Sequence, residues 1–311
     1  MENQWKIRFW GTRGSMPRAG KEFLEYGGNT SCISVDWGGA WVVLDGGSGL
    51  INLGHAMKGN RDLRPVHILF SHLHMDHIMG LFGFGQLYEP GAEIHLYGES
   101  RAGVSFRQQL DQVTGSPYWP MGLGEVPAQV RLHQVEPGQQ FCLEAGGRVL
   151  RVSILRGIHP GGSLLYRLDG VPGAGDDRRL SGTSTVSSFL DQGAGTGIGE
   201  PNGTGTPGMV YGLDCELDQG MSRRLAKFAA GVDVLVWDAH FTQEDLKKHQ
   251  GWGHSSWEQG VVLGKAAGAA RTVMTHFAPE YTDDFLRQQE AAAREADGSC
   301  CFAREGMEIS I

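Results

Sequence analysis

The chain of 311 residues lacks the features that would place it in a membrane or on a polyanion. No run of continuous apolar residues approaches the roughly eighteen that span a bilayer, and the amino terminus lacks the basic-then-apolar order of a signal peptide. The net charge is -8 and the pI about 5.8, so no general attraction to nucleic acid or anionic lipid is expected. We therefore expect a soluble, cytoplasmic protein with no membrane partner, for which a nucleic-acid partner is disfavoured but not excluded.

Paired cysteines and phosphate-binding loops are also missing. The five cysteines form no C-x-x-C pair, and the vicinal Cys300 and Cys301 are poorly placed for a structural bridge. We interpret all five as reduced thiols that mostly fill the core. A glycine-rich turn at 45–49 follows a predicted strand, but it has neither the Walker lysine nor a full dinucleotide fingerprint. A nucleotide site of the phosphate-loop kind is therefore disfavoured.

What is present is ordinary globular composition, 40% hydrophobic and 20% charged, with strand and helix patterns that alternate. Apolar runs and alternation predict strands at 6–10, 31–35, 41–44, 66–70, 93–97, 129–135, 140–143, 148–155, 164–168, 209–214, 232–237 and 271–275. Helices are predicted at 50–58, 101–113, 222–230 and 257–267. We expect an α/β fold in a single domain, 1–311, with a Gly/Ser/Thr-rich insertion at about 170–208.

The segment after the predicted strand 66–70 concentrates metal-binding side chains. His72, His74, Asp76 and His77 lie within six positions. Crowding so many ionisable groups beside an apolar strand costs several kcal/mol unless a metal or partners compensate. Residues two apart in an extended segment point the same way, so His72 and His74 can approach one cation while Asp76 and His77 turn toward a second. Imidazole and carboxylate suit a zinc-like or an iron- or manganese-like ion.

Other candidate ligands also stand where predicted strands end. These strand-end residues are Asp45, His72, His159, Asp214, Asp238 and His276. In proteins that alternate strands and helices, chemistry gathers at such strand ends. The remaining histidines receive no predicted role: His55, His67, His95, His133, His240 and His249.

The segment 72–77 matches the H-x-H-x-D-H signature of the metallo-β-lactamase superfamily, and His159, Asp214 and His276 follow in that superfamily's order. The chain resembles this superfamily over essentially its whole length. The resemblance implies an αββα four-layer sandwich (α/β, α+β) with two divalent metals at one edge, zinc first and manganese or iron as alternatives. It assigns His72, His74 and His159 to one metal. It assigns Asp76, His77 and His276 to the other, with Asp214 bridging both.

Three further segments, 10–15, 27–32 and 251–255, are similar to the phosphodiesterase branch of the superfamily. That branch includes ribonuclease Z, the cyclic-phosphate phosphodiesterase of phosphonate breakdown and class II cyclic nucleotide phosphodiesterases. The resemblance implies a hydroxide that bridges the metals and attacks phosphorus. It also implies a catalytic His254 that protonates the leaving group and is oriented by Asp238, where ribonuclease Z often has Glu. Asp76 is counted both as a metal ligand and as a catalytic residue.

The leading hypothesis is hydrolysis of small phosphodiesters, with cyclic nucleotides as the first substrate class. The alternatives are a tRNA 3′-processing endonuclease of the ribonuclease Z kind and a lactonase or thioesterase, for which His254 would be dispensable. A metal-bound sensor without turnover is disfavoured by the intact ligand set, and the flavodiiron pattern has Glu where this chain has His74. A homodimer is possible, and Tyr118 and Trp119 could form the floor of a pocket.

Overall fold

The computed structural model describes residues 4–171 and 206–311. Their strands form two mixed sheets of seven strands each, ordered β14-β1-β2-β3-β4-β5-β6 and β13-β12-β11-β10-β9-β8-β7. The strands are β1 (Lys6–Gly11), β2 (Cys32–Asp36), β3 (Trp41–Leu44), β4 (Val66–Leu69), β5 (Glu93–Gly98), β6 (Gln129–Gln134), β7 (Gln140–Ala145), β8 (Arg148–Gly157), β9 (Ser163–Val171), β10 (Gly208–Gly212), β11 (Val234–Asp238), β12 (Arg271–Thr275), β13 (Cys300–Phe302) and β14 (Glu308–Ser310). The helices are α1 (Leu50–Asn60), α2 (Met75–Ile78), α3 (Phe106–Asp111), α4 (Gln219–Phe228), α5 (Gln243–Leu246), α6 (Trp257–Ala267) and α7 (Asp283–Ala296).

Three buried clusters show that the sheets and helices are stacked in four layers. One cluster lies between the two sheets and includes Phe9 of β1, Tyr166 of β9 and Val236 of β11. A second packs α4, α6 and α7 against the sheet that contains β10 to β12, and a third packs α1 and α3 against the sheet that contains β3 to β5. Each sheet has helices on one face and the other sheet on the opposite face, so its strands are buried on both sides. This burial explains why the strand sequences are nearly continuous apolar runs. The predicted αββα sandwich is confirmed.

Helix boundaries follow local capping. The helix predicted from residue 101 begins only at Phe106, because Ser105 and Gln108 form a capping box, while Arg101 and Val104 close a tight turn before it. The helix predicted from residue 222 begins earlier, at Gln219, because the Asp218 side chain caps the Met221 N–H. The late elements α7, β13 and β14 were not predicted. The predicted insertion lies, apart from its ends at β9 and β10, outside the described residues.

The parallel strands place several polar side chains at one edge. Strands β3 to β6 are parallel in one sheet, and strands β10 to β13 are parallel in the other. Asp45, Asp214 and His276, which follow β3, β10 and β12, all adopt positive φ, at 59°, 54° and 64°. Such a backbone costs free energy for a residue other than glycine and is characteristic of functional sites. Among the described residues, no helix is both long and apolar enough to cross a membrane.

Candidate metal centre

The seven residues predicted as ligands lie together at this edge, although they come from both sheets. Their ligand atoms form overlapping groups within 4.8 Å of one another. Three of the groups are His72 with His74 and His159, Asp76 with His77 and His276, and Asp214 with His72 and His77. Two further groups include His254, one with His159 and Asp214 and one with Asp238, His240 and His276. The first two groups have the same members as the two ligand sets that the resemblance implies.

The Asp214 carboxylate is oriented as a bridge would require. Its Oδ2 atom lies 3.2 Å from His77 Nε2 and 3.3 Å from His276 Nε2. Its Oδ1 atom lies 3.9 Å from His159 Nε2, on the side of the other group. The two oxygens of one carboxylate therefore face different sets of imidazoles.

The donor atoms fit divalent cations. His72 Nε2 and Asp214 Oδ2 are buried and have no hydrogen-bond partner in the described part of the chain. Buried polar atoms without a partner are uncommon in folded proteins and indicate a ligand or ion. Imidazole nitrogen and carboxylate oxygen are donors that zinc, manganese and iron accept. These two atoms are among several such atoms in the described residues, and both belong to the donor groups, so the residues present suit the metals that the resemblance implies.

Electrostatics divides the histidines into two sets. Burial lowers the pKa of His72, His74 and His159, so these imidazoles are held neutral, the form that ligates metal. Burial also acts to lower the pKa of His276, but Asp214, Asp238 and Asp76 outweigh it and raise that pKa to about 10. Around His276, therefore, the negative charge of the carboxylates is balanced by the protonated imidazole. A bound dication would balance that charge in place of the proton.

A network centred on Asp45 fixes the orientation of two of the predicted ligands. Its carboxylate accepts hydrogen bonds from His77 Nδ1, the Ser71 hydroxyl and the Tyr211 hydroxyl, each at 2.7 Å, and from the Ser71 N–H at 2.7 Å. Ser71 Oγ in turn lies 3.0 Å from His72 Nδ1. Because Nδ1 of both histidines is engaged, their Nε2 atoms are the ones available to a metal.

A second carboxylate, Asp238 at the end of β11, holds His254. His254 Nδ1 lies 3.1 Å from Asp238 Oδ2, and the same oxygen accepts a hydrogen bond from the Asp214 N–H at 3.1 Å. The His254 ring lies 5.3 Å from the His159 ring. His254 thus stands beside the donor groups, with its Nε2 atom free of the Asp238 contact.

His240, for which the sequence predicted no role, belongs to this cluster. Its ring stacks on the His254 ring at a centroid distance of 4.1 Å and an angle of 14°. Its Nδ1 atom donates to the His276 carbonyl at 2.9 Å, and its N–H donates to Asp238 Oδ1 at 3.0 Å. The one available sequence signal was its position two residues after the strand-end carboxylate Asp238.

The loop that carries His254 is tied to the segment after Asp214. The Glu216 carboxylate accepts hydrogen bonds from the N–H groups of Gly251 and Gly253, at 2.8 and 3.2 Å. The Gly253 carbonyl accepts from His159 Nδ1 at 3.1 Å, which leaves His159 Nε2 for a metal. No local pattern marks Glu216, so sequence reasoning missed it.

Arg101 joins the two ligand-bearing loops across the sheets. Its Nη1 atom donates to the carbonyls of Gly161 and Gly162, and its Nη2 atom lies 3.3 Å from the Ser71 carbonyl. Ser71 precedes His72, whereas the glycines follow His159. The guanidinium therefore holds the His159 loop of one sheet against the His72 loop of the other.

The two aromatic residues predicted as a possible pocket floor differ in their surroundings. Trp119 stacks on Phe82 at 5.0 Å and donates its indole N–H to the Tyr88 hydroxyl at 3.0 Å, so it packs within the fold. Tyr118 is 74% exposed. The five cysteines are free thiols, as predicted, and three of them are buried.

Comparison with known proteins agrees with this architecture. A family model described as the beta-lactamase superfamily domain matches residues 40–277. The chain is 25% identical to the ribonuclease Z of Archaeoglobus fulgidus over 327 aligned positions, which cover 99% of this chain and 98% of that protein. It is similar to the metallo-beta-lactamase fold protein YhfI from Bacillus subtilis, with a TM-score of 0.65, 18% identity, and coverage of 99% of this chain and 100% of that one. A diphosphatase from the PhnP family superposes with a TM-score of 0.59 and 16% identity, over 98% of this chain and 97% of that one.

Proposed function

Because the chain belongs to the family of the beta-lactamase superfamily domain, we propose that it is a metal-dependent hydrolase of small phosphodiesters, with cyclic nucleotides as the first substrate class. The superfamily predicted from the segment 72–77 is confirmed by this match. The proposed cofactors are two divalent cations, zinc first, with manganese or iron as alternatives. We further propose that it works in the cytoplasm.

The observation that carries the proposal is the placement of His254. It contacts Asp238 at 3.1 Å and stands 3.7 Å from Asp214 Oδ1. His254 is outside both predicted ligand sets, although one of its ring nitrogens also lies within 4.8 Å of ligand atoms of His159 and Asp214. A histidine held beside a metal pair by a buried carboxylate is suited to proton transfer. Hydrolysis of an alkyl phosphodiester needs such a group, because its alkoxide leaving group must take up a proton.

Each residue then has a defined task. His72, His74 and His159 would hold one cation, and Asp76, His77 and His276 the other, with Asp214 between them. Cations at these positions supply a nucleophile from water near neutral pH and offset phosphoryl charge. As the bond from phosphorus to the leaving oxygen breaks, His254 Nε2 donates its proton to that oxygen. Asp238 keeps the imidazole in place.

The net charge of -8 supports a small substrate over a long polyanion. Binding to nucleic acid gains most of its free energy from cationic side chains that displace counterions. An acidic chain lacks that general attraction. A compact phosphodiester with one negative charge can be held by the metal centre itself.

Turnover by the metal-loaded protein tests the proposal. Bis(p-nitrophenyl) phosphate and 2′,3′- and 3′,5′-cyclic nucleotides would be assayed with Zn²⁺, Mn²⁺ and Fe²⁺, using phosphomonoesters as the negative class. His254→Ala is expected to lower kcat on the cyclic nucleotides by about 10²- to 10⁴-fold. The loss should be smaller for p-nitrophenolate, which leaves without a proton. The exposed His55→Ala serves as a matched control.

Two results would contradict the proposal. Metal-loaded protein that leaves every phosphodiester intact would exclude the activity. If His254→Ala lowered kcat equally for the alkoxide and the p-nitrophenolate leaving groups, His254 would not be the proton donor. Lactone or thioester turnover that survives His254→Ala would instead support the lactonase or thioesterase alternative.

A second candidate is cleavage of tRNA precursors, which is favoured by the alignment with the Archaeoglobus fulgidus ribonuclease Z over nearly the full length of both chains. Precursor tRNA with a 3′ trailer would be compared with cyclic nucleotides by kcat/KM at several salt concentrations. A strong preference for the precursor, with affinity that falls steeply as salt rises, would favour this candidate over the first.

A further inference from the structure

The short segment Gly251-Trp252-Gly253 is held rigidly against the candidate metal centre. The Glu216 carboxylate binds the N–H groups on both sides of Trp252, at 2.8 Å from Gly251 and 3.2 Å from Gly253. The Gly253 carbonyl is bonded to His159, a predicted ligand. The backbone of Trp252 is therefore fixed on both sides, one residue before the Gly253 carbonyl that contacts His159.

The Trp252 indole is itself supported but not covered. Its ring meets the His249 ring edge-on at 4.7 Å, and His249 stacks on Phe241 at 4.6 Å and 9°. His249 is anchored in turn, because its Nδ1 atom donates to the Asp245 carbonyl at 2.8 Å. Despite this support, 58% of Trp252 remains exposed. Large aromatic side chains usually bury most of their surface. An indole that is held in place by its neighbours and yet largely exposed therefore indicates a binding surface.

The indole stands close to the proposed proton donor. Both residues have the buried Phe241 as a neighbour, with its ring 6.5 Å from that of Trp252 and 5.9 Å from that of His254. Trp252 also lies only two residues before His254 in the chain. A nucleotide whose phosphate is placed at His254 could therefore place its base on Trp252.

We propose that Trp252 is a specificity-determining residue that stacks on the nucleobase of the substrate. The inference rests on the proposed function and narrows it to phosphodiesters that carry a base. Stacking of a base on an aromatic side chain changes affinity by about 5- to 150-fold. It is tolerant of base identity, because every base has a π-face. The site is therefore expected to prefer nucleotides over baseless phosphodiesters while discriminating little among bases.

A matched pair of substrates isolates the contribution of the base. The activities of wild type, Trp252→Leu and Trp252→Phe would be measured on 2′,3′-cyclic AMP and on glycerol 1,2-cyclic phosphate, which has no base. Trp252→Leu is expected to lose about 5- to 150-fold in kcat/KM on the nucleotide and little on the glycerol compound. Trp252→Phe should retain most of the preference. Leu63→Ala removes an exposed apolar side chain before the start of β4, at the opposite end of that strand from His72, and should leave the ratio unchanged.

Binding measurements keep this inference separate from the proposed function. AMP and ribose 5-phosphate would be titrated into metal-loaded wild type and Trp252→Leu, with affinity measured by calorimetry. A selective loss of AMP affinity supports the stacking role even in a protein that cleaves no phosphodiester. If Trp252→Leu lost the same affinity for AMP as for ribose 5-phosphate, or lost affinity for neither, the stacking role of Trp252 would be overturned.

Discussion

The Asp45 carboxylate accepts a hydrogen bond from His77 Nδ1 at 2.7 Å, and both side chains are fully buried. Asp45 follows one parallel strand and His77 lies beyond the next, so the sheet itself brings them together. The contact leaves His77 Nε2 free, 3.2 Å from Asp214 Oδ2. A carboxylate behind an imidazole fixes its tautomer and makes it a stronger metal ligand.

Asp45→Asn is expected to weaken metal binding by about 10- to 100-fold, because the amide is a poorer acceptor for His77 and for the Ser71 hydroxyl. Competition with a chromogenic chelator would measure the affinity. Asp36→Asn is a suitable control, since Asp36 pairs with Arg64 away from the site. Equal affinities of Asp45→Asn and wild type would show that Asp45 has only a structural role.

Gly253→Ala and Gly251→Ala form a matched pair, because both glycines have φ of 85°. A Cβ atom at Gly253 would lie 2.2 Å from His159 Nδ1, whereas one at Gly251 would meet nothing within 4 Å. Both variants should lose about 1–2 kcal/mol of folding free energy from the left-handed backbone. Metal affinity should fall in Gly253→Ala alone. Similar metal affinities in the two variants would contradict the proposed support of His159 by this loop.

His240→Ala is expected to lower kcat about tenfold, the rate equivalent of about 1.4 kcal/mol, with metal content unchanged. The substitution removes the ring stacked on His254 and leaves the His276 carbonyl without the donor at 2.9 Å. His240→Phe keeps a stacked ring and should retain more activity. An unchanged kcat in His240→Ala would show that the stack does not position His254.

A separate cluster of histidines predicts acid sensitivity of the fold. Burial, and then the neighbouring His95 and His133, lower the pKa of His67 from 6.5 to about 3. Its neutral form stabilises the folded state fully above about pH 6.5, and this contribution is lost as the pH falls toward 3. Between pH 8 and pH 5 the loss is about 2 kcal/mol.

Urea unfolding of metal-free protein at several pH values would check this. His67→Leu should show about 2 kcal/mol less destabilisation between pH 8 and pH 5 than wild type. The buried Nε2 atom of His67 has no hydrogen-bond partner in the described residues, whereas its Nδ1 atom lies 3.0 Å from the Tyr97 hydroxyl. His67→Leu loses that hydrogen bond at every pH, so the comparison uses only the change in stability between the two pH values. The exposed His55→Leu is the control. Identical pH dependence in His67→Leu and wild type would refute the assignment.

Much of the architecture follows from local pattern. A strand that is buried on both faces appears in the sequence as a short apolar run. Most strands were therefore predicted to within a few residues of their observed bounds. The strands β13 and β14 were missed, because strands of three residues depend on their neighbours for pairing. The helix α7 was also missed, although its cap Thr282 and the acidic residues of its first turn are local signals. Capping by Ser105 and Asp218 moved two helix starts.

The sequence by itself was enough to predict which residues are candidate ligands, because histidines and aspartates stand directly after apolar strands and follow a recognisable order. It could not determine the groups that hold them. Asp45 meets His77 across 32 positions, His240 meets His276 across 36, and the carboxylate of Glu216 meets Gly251 across 35. A single carboxylate or imidazole carries no local mark of such a partner. Only the tertiary structure decided these contacts, because the parallel pairing of strands within each sheet brings loops that are distant in the chain to one edge, within hydrogen-bonding distance.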